Sequence, residues 1–150
     1  MVEKRVWGNA TWYLFHTLSY KLKYDNEKNV KKLYKLFENI CHNLPCPICS
    51  EHAVNLLNKI NYNNLVNKNN LILVMFHLHN KVNEKLNKKI FTIEEHNELY
   101  SKANVSNIIN FFFTAWNAKT YEGLNFKSLE KKNCINNLKK FINENENFFM

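Results

Sequence analysis

The stretch His79-Asn80-Lys81-Val82-Asn83-Glu84-Lys85-Leu86-Asn87-Lys88-Lys89, HNKVNEKLNKK, sets the reading of the whole chain. His79, Val82, Asn83 and Leu86 stand at i, i+3, i+4 and i+7, so a helix places them on one face. That face is half polar. Histidine and asparagine turned toward a protein interior leave donors and acceptors unpaired unless something polar fills the space. A cofactor with a ring system and phosphates fits, with Lys88 one turn beyond to meet a phosphate.

Helical periodicity continues on both sides. Trp7 to about Lys23 reads as a first helix and Glu27 to Asn43 as a second, with Val30, Leu33, Tyr34, Phe37 and Ile40 in one buried stripe. Pro45 closes that helix, and Pro47 opens a third running to about Lys59. After an Asn-rich link, Asn61 to Asn70, a fourth runs from Leu71 to Lys88. A short fifth spans Thr92 to Ser101, with Thr92 and Glu95 as a capping box. Gly and Pro occur only twice each, too few for an all-β chain with its many tight turns. The expectation is all-α: a four-helix bundle plus a short fifth helix over residues 1–103, and a helical extension over 104–150. In the extension, Gly123 is expected to break a Phe-rich helix from a second one covering about Leu129 to Ile142.

Between the second and third helices stands Leu44-Pro45-Cys46-Pro47-Ile48-Cys49-Ser50-Glu51-His52, LPCPICSEH. A helix beginning at Pro47 puts Cys46 at or near its N-cap and Cys49 in its first turn. Unpaired N–H groups and the helix dipole there stabilise a thiolate, the attacking species in thiol–disulfide exchange. Two intervening residues also let the sulfurs close into a disulfide. Two other readings stay open on spacing alone. Cys46, Cys49 and His52 make three of four zinc ligands, with Cys41 or His42 as the fourth, in a non-enzymatic CxxCxxH interaction module. Alternatively, the cysteines are inert and buried.

The first helix carries a second ring-binding pattern. Gly8 permits close backbone approach, and Trp12 and His16 at i, i+4 offer an aromatic plane and a hydrogen-bonding ring on one face.

Together, WGNATWYLFHTL (Trp7 to Leu18), LPCPICSEHA (Leu44 to Ala53) and HNKVNEKLNKK (His79 to Lys89) resemble the flavin-dependent sulfhydryl oxidases of the Erv/ALR type. The compact form is most like the members encoded by large cytoplasmic DNA viruses. The resemblance covers roughly residues 5 to 103, and the HNxVNxxLxK pattern is its most specific part. It implies a helical bundle that holds FAD noncovalently, with the CxxC against the isoalloxazine. Carried over residue by residue, it implies that Cys46 and Cys49 are catalytic, Cys46 meeting the substrate and Cys49 passing electrons to the flavin and on to O2, giving hydrogen peroxide. It implies cofactor contacts from Gly8, Trp12, His16, His52, His79, Asn80, Asn83, Leu86, Lys88 and Tyr100. It implies a thiol-bearing protein substrate, such as a thioredoxin-like carrier, and a homodimer. Three departures stand out: Phe76 occupies a position that is often a structural cysteine, no second CxxC serves as a shuttle, and residues 104–150 have no counterpart in the minimal domain.

The remaining totals narrow the classes. The formal net charge is +8, but the lysines are scattered through helical segments, so no nucleic-acid partner is expected. The most apolar run, Ile108 to Trp116, falls short of the roughly 20 residues a membrane span needs. Met1 to Arg5 is charged with no apolar run behind it, so no secretory signal is expected, and the expected location is cytoplasmic: host cytoplasm or virion for a viral protein.

Overall fold

The computed structural model describes residues 4–117 and 126–149, and its regular elements are helices. They are α1 (Lys4–Lys21), α2 (Glu27–His42), α3 (Pro47–Leu57), α4 (Lys68–Lys85), α5 (Ile93–Ser101), α6 (Val105–Asn117) and α7 (Phe126–Glu144). Short 3-10 turns lie at Tyr62–Asn64 and Glu146–Phe148. The break expected at Gly123 lies outside the described residues.

α1 runs through the middle of the molecule and packs against α4, α5 and α6, while α2 packs against α3, α4 and α7. The stripe expected on α2 is buried as a unit. Phe37 meets Phe15 of α1 with ring centroids 4.7 Å apart, and both rings are fully buried. Burial of each stabilises the fold by about 1.5–3 kcal/mol.

Most helix starts follow local side-chain chemistry. Asn26 caps α2 by accepting from the Asn29 N–H at 2.9 Å. Thr92 and Glu95 form the capping box of α5. α4 begins at Lys68, earlier than the apolar periodicity indicates, because Asn67 and Asn70 cap each other's backbone reciprocally. The Asn-rich link is thus partly a helix start.

α4 also ends earlier than expected, at Lys85. Asn87 adopts a left-handed φ of 56°. The Lys88 N–H then returns to the Asn83 carbonyl at 2.8 Å, and the Asn87 N–H returns to that of Glu84 at 3.2 Å. This is the Schellman closure, here with asparagine in the position glycine usually takes. It turns Lys88 and Lys89 off the helix.

Beyond α5, the chain stays on the bundle. Phe112, Ala115 and Trp116 of α6 are buried, as are Cys134, Ile135 and Leu138 of α7. The Trp116 indole donates to the Thr11 hydroxyl at 3.0 Å, which donates in turn to the Trp7 carbonyl at 2.6 Å. Past α7, the Lys23 N–H donates to the Phe148 carbonyl at 2.8 Å. No helix among the described residues is long and apolar enough to cross a membrane.

Candidate active site

A cavity of about 400 Å³ opens where α1, α3 and α4 meet, within the range of cofactor pockets. Gly8 and Trp12 line it from α1, Cys49 and His52 from α3, and His79, Asn83 and Lys85 from α4. Leu86, Lys88 and Phe91 follow from the segment after α4.

The two cysteines sit at the start of α3 as their spacing suggested. Cys46 is the N-cap, Pro47 takes the first helical position, and the Cys46 sulfur accepts from the Cys49 N–H at 3.2 Å. The sulfurs are joined in a disulfide with Cα atoms 5.2 Å apart. The Leu44 N–H donates to the Ser50 hydroxyl at 2.9 Å, tying the incoming chain to the first turn. Cys49 faces the cavity and Cys46 does not. Ile48, between them, is 74% exposed and lines the cavity as well, while Cys46 is half-buried.

Trp12 and His79 form an aromatic wall. Their rings stack at 4.1 Å with planes 10° apart. His16 lies behind them and is fully buried. It does not line the cavity; its Nε2 is 2.9 Å from Nδ1 of His79. Asn80 is also off the cavity. Its side chain pairs with the Phe91 backbone, donating to the carbonyl at 2.9 Å and accepting from the N–H at 3.0 Å. That pairing brings Phe91 to the cavity, 5.9 Å from the His79 ring. Tyr100 packs against His16 at 4.6 Å and likewise lies behind the wall. Three residues expected around a cofactor therefore support those that face it.

The mouth is cationic. Lys4, Arg5, Lys85, Lys88 and Lys89 all line the cavity. Burial, with the charges of Lys85, Lys4 and Lys59, holds His52 below the usual histidine value. Burial, His96 and Lys88 push His79 down to about 3, so the wall carries a neutral imidazole near pH 7.

Lys4, Arg5, Lys89 and Phe91 line the cavity without having been singled out from the sequence. The lysine excess hid the cations. Phe91 depends on a turn that periodicity does not report.

The other two cysteines are free thiols. Cys41 is buried at the cavity's edge, and burial, with Glu38 and Cys134, pushes it up to about 12. Burial does the same to Cys134. Among the described residues, no cluster of His, Cys, Asp or Glu is arranged to hold a metal ion.

Comparison with known proteins agrees with this architecture. The Erv1 / Alr family model matches residues 9–102. An FAD-linked sulfhydryl oxidase of African swine fever virus is 31% identical over 105 residues, covering 68% of this chain and 86% of that protein. The "Probable FAD-linked sulfhydryl oxidase" of fowlpox virus is 32% identical over 75 residues, covering 50% of this chain and 72% of the relative. No solved structure matches the chain significantly. The family match spans more than half of the sequence and takes in the disulfide, the aromatic wall and most of the residues around the cavity: the chain belongs to the Erv1 / Alr family.

Proposed function

We propose that this protein is an FAD-dependent thiol oxidase that makes disulfides in protein substrates. One observation carries the reading: Cys49 of a helix-capping disulfide and the stacked Trp12–His79 wall face the same cavity.

The residues present suit the cofactor. A Cβ added at Gly8 would meet nothing within 4 Å, so the cavity floor there is open to a flat ring. Trp12 and His79 offer a plane for stacking, and the cations at the mouth offer partners for a diphosphate. FAD, when bound, supplies the two-electron sink that returns the cysteines to the disulfide and delivers the electrons to O2 as hydrogen peroxide.

The protein's own chemistry starts at Cys46. A substrate thiolate attacks its sulfur, the Cys46–Cys49 bond breaks, and Cys49 leaves as a thiolate within the first turn of α3. The second substrate thiol attacks the mixed disulfide, releasing the substrate as a disulfide and Cys46 as a thiolate. The Cys49 N–H, already on the Cys46 sulfur at 3.2 Å, stabilises that anion together with the helix N-terminus. Each cycle removes two electrons and two protons from the substrate dithiol.

Cys41 and Cys134 are buried singly on two helices, so the Cys46–Cys49 pair receives electrons directly from a client protein or a thioredoxin-like carrier. Residues 1–103 form the catalytic domain in this reading, supported by a cavity lining that ends at Phe91. Residues 104–150 are a supporting extension. A homodimer and a place in host cytoplasm or virion, both implied by the family resemblance, complete the proposal.

The purified protein should be yellow, with a flavin absorption band. Cys49→Ser and Cys46→Ser should each abolish thiol-dependent oxygen uptake. A folded, colourless protein that takes up no added FAD would refute the reading.

A further inference from the structure

Behind the aromatic wall, a continuous line of hydrogen bonds crosses the molecule. His79 Nδ1 lies 2.9 Å from His16 Nε2. His16 Nδ1 lies 2.9 Å from His96 Nε2. His96 Nδ1 lies 3.0 Å from the Tyr20 hydroxyl, which donates to Asn97 Oδ1. The line starts at the cavity, passes through two buried rings and ends at an exposed asparagine on α5.

Its direction follows from counting protons. Tyr20 has one hydroxyl proton, and it goes to Asn97. The Tyr20 oxygen therefore accepts from His96 Nδ1–H. A neutral imidazole carries one N–H and one bare nitrogen. His96 Nε2 is then bare and accepts from His16 Nδ1–H, and His16 Nε2 accepts from His79 Nδ1–H. His79 Nε2 is left without a proton. No hydrogen bond from the described residues reaches it, and its ring lines the cavity. Burial keeps all three rings poor bases, so neutrality holds along the line.

We propose that Tyr20, His96 and His16 are positioning residues that fix the tautomer of His79, so that its Nε2 faces the cavity as a hydrogen-bond acceptor, with the direction of the whole line set at Asn97 on the surface. The ligand group it selects is an N–H or O–H donor, not a phosphate or carbonyl oxygen. This last step rests on the proposed cofactor site; the tautomer itself does not. Because each ring passes on a single proton, the line can only reverse as a whole. An end group that donates to Tyr20 would turn its hydroxyl toward His96, flip every bond and put a proton on His79 Nε2.

The test is long-range ¹H–¹⁵N spectroscopy of the histidine rings in the full chain, with and without added FAD. The native protein should show His79 protonated at Nδ1 and bare at Nε2. Asn97→Asp, an acceptor-only end, should keep that pattern. Asn97→Lys, a donor-only end, should move the proton to Nε2, and Tyr20→Phe should give a mixture. Asn97 is exposed, so its variants leave the core intact. FAD affinity in Asn97→Lys should fall about tenfold, the size of one lost hydrogen bond to a charged or well-oriented partner. A tautomer response in Asn97→Lys sustains the proposal. A native His79 with its proton on Nε2, or an unchanged tautomer in Asn97→Lys, overturns it. A chain that binds no FAD yet shows the tautomer response would defeat the oxidase reading alone.

Discussion

Asn80 grips Phe91 by both backbone polar groups, with bonds of 2.9 and 3.0 Å across eleven residues of sequence. The amide side chain acts as a short length of strand partner for the segment that follows α4. Asn80→Ala should leave the Phe91 N–H and carbonyl unpaired and cost about 1–3 kcal/mol in urea unfolding. FAD affinity, read by fluorescence titration, should fall as well, because Phe91 loses its position at the cavity. Asn80→Asp keeps the acceptor half and should lie between. An alanine variant that binds FAD at full strength would remove this segment from the cofactor site.

The buried histidines predict an acid-sensitive fold. Burial holds His96 at about 4 and His79 at about 3, and pushes His16 well below its ordinary value of 6.5. The unfolded chain therefore binds more protons than the native one below pH 6.5, so stability rises with pH in that range. The contribution is fully present above pH 6.5 and is lost as pH falls toward 4. The slope is roughly 1.4 kcal/mol per pH unit for each ring that charges only on unfolding. Urea midpoints measured from pH 7.5 to 4.5 check the sign. In a variant with His96 replaced by glutamine the fall should be shallower.

Thr11 joins α1 to α6 by accepting from the Trp116 indole while donating to the Trp7 carbonyl. Thr11→Val preserves shape and removes both bonds, leaving a buried indole N–H without its partner. A loss of about 1–3 kcal/mol is expected. Trp116→Phe removes the donor too and should restore part of that loss in the double variant. Additive effects in the cycle would show that the two side chains are not coupled.

The cationic mouth predicts salt-sensitive cofactor binding. FAD affinity should weaken as ionic strength rises. Lys89 is already paired with Glu95 at 2.6 Å, whereas Lys88 has no such carboxylate among the described residues. Lys88→Ala should therefore weaken FAD binding a few-fold, the size of a partly exposed charge contact, and Lys89→Ala less. Equal effects from the two variants would argue against a distinct place for Lys88.

The elements readable from sequence were those whose cause is local. The α2 stripe from Val30 to Ile40, the Thr92–Glu95 box and the Cys46 cap each depend on residues within a turn or two. What escaped depends on distant partners. His96 belongs to no motif, and its role comes from His16, 80 residues away, and Tyr20, 76 residues away. Asn80 stands outside the face formed by His79, Val82, Asn83 and Leu86 and enters only as a contact implied by the resemblance; its pairing needs Phe91, eleven residues on. The end of α4 could have been found, because an asparagine after Leu86 can take the left-handed position that stops a helix. The resemblance to a flavin family implied ten cofactor contacts as one group. It did not separate Trp12 and His79, which face the cavity, from His16 and Tyr100, which stand behind them.

A protein that hands out disulfides must not cross-link itself. Cys41 stands at the edge of the cavity Cys49 faces, yet it is held in its protonated, unreactive form, as is Cys134 across from it. Burial thus works here as chemical insulation: the two spare sulfurs are kept from joining the traffic that passes their neighbours, and an alkylating reagent applied to the folded protein should leave both untouched until the chain is opened.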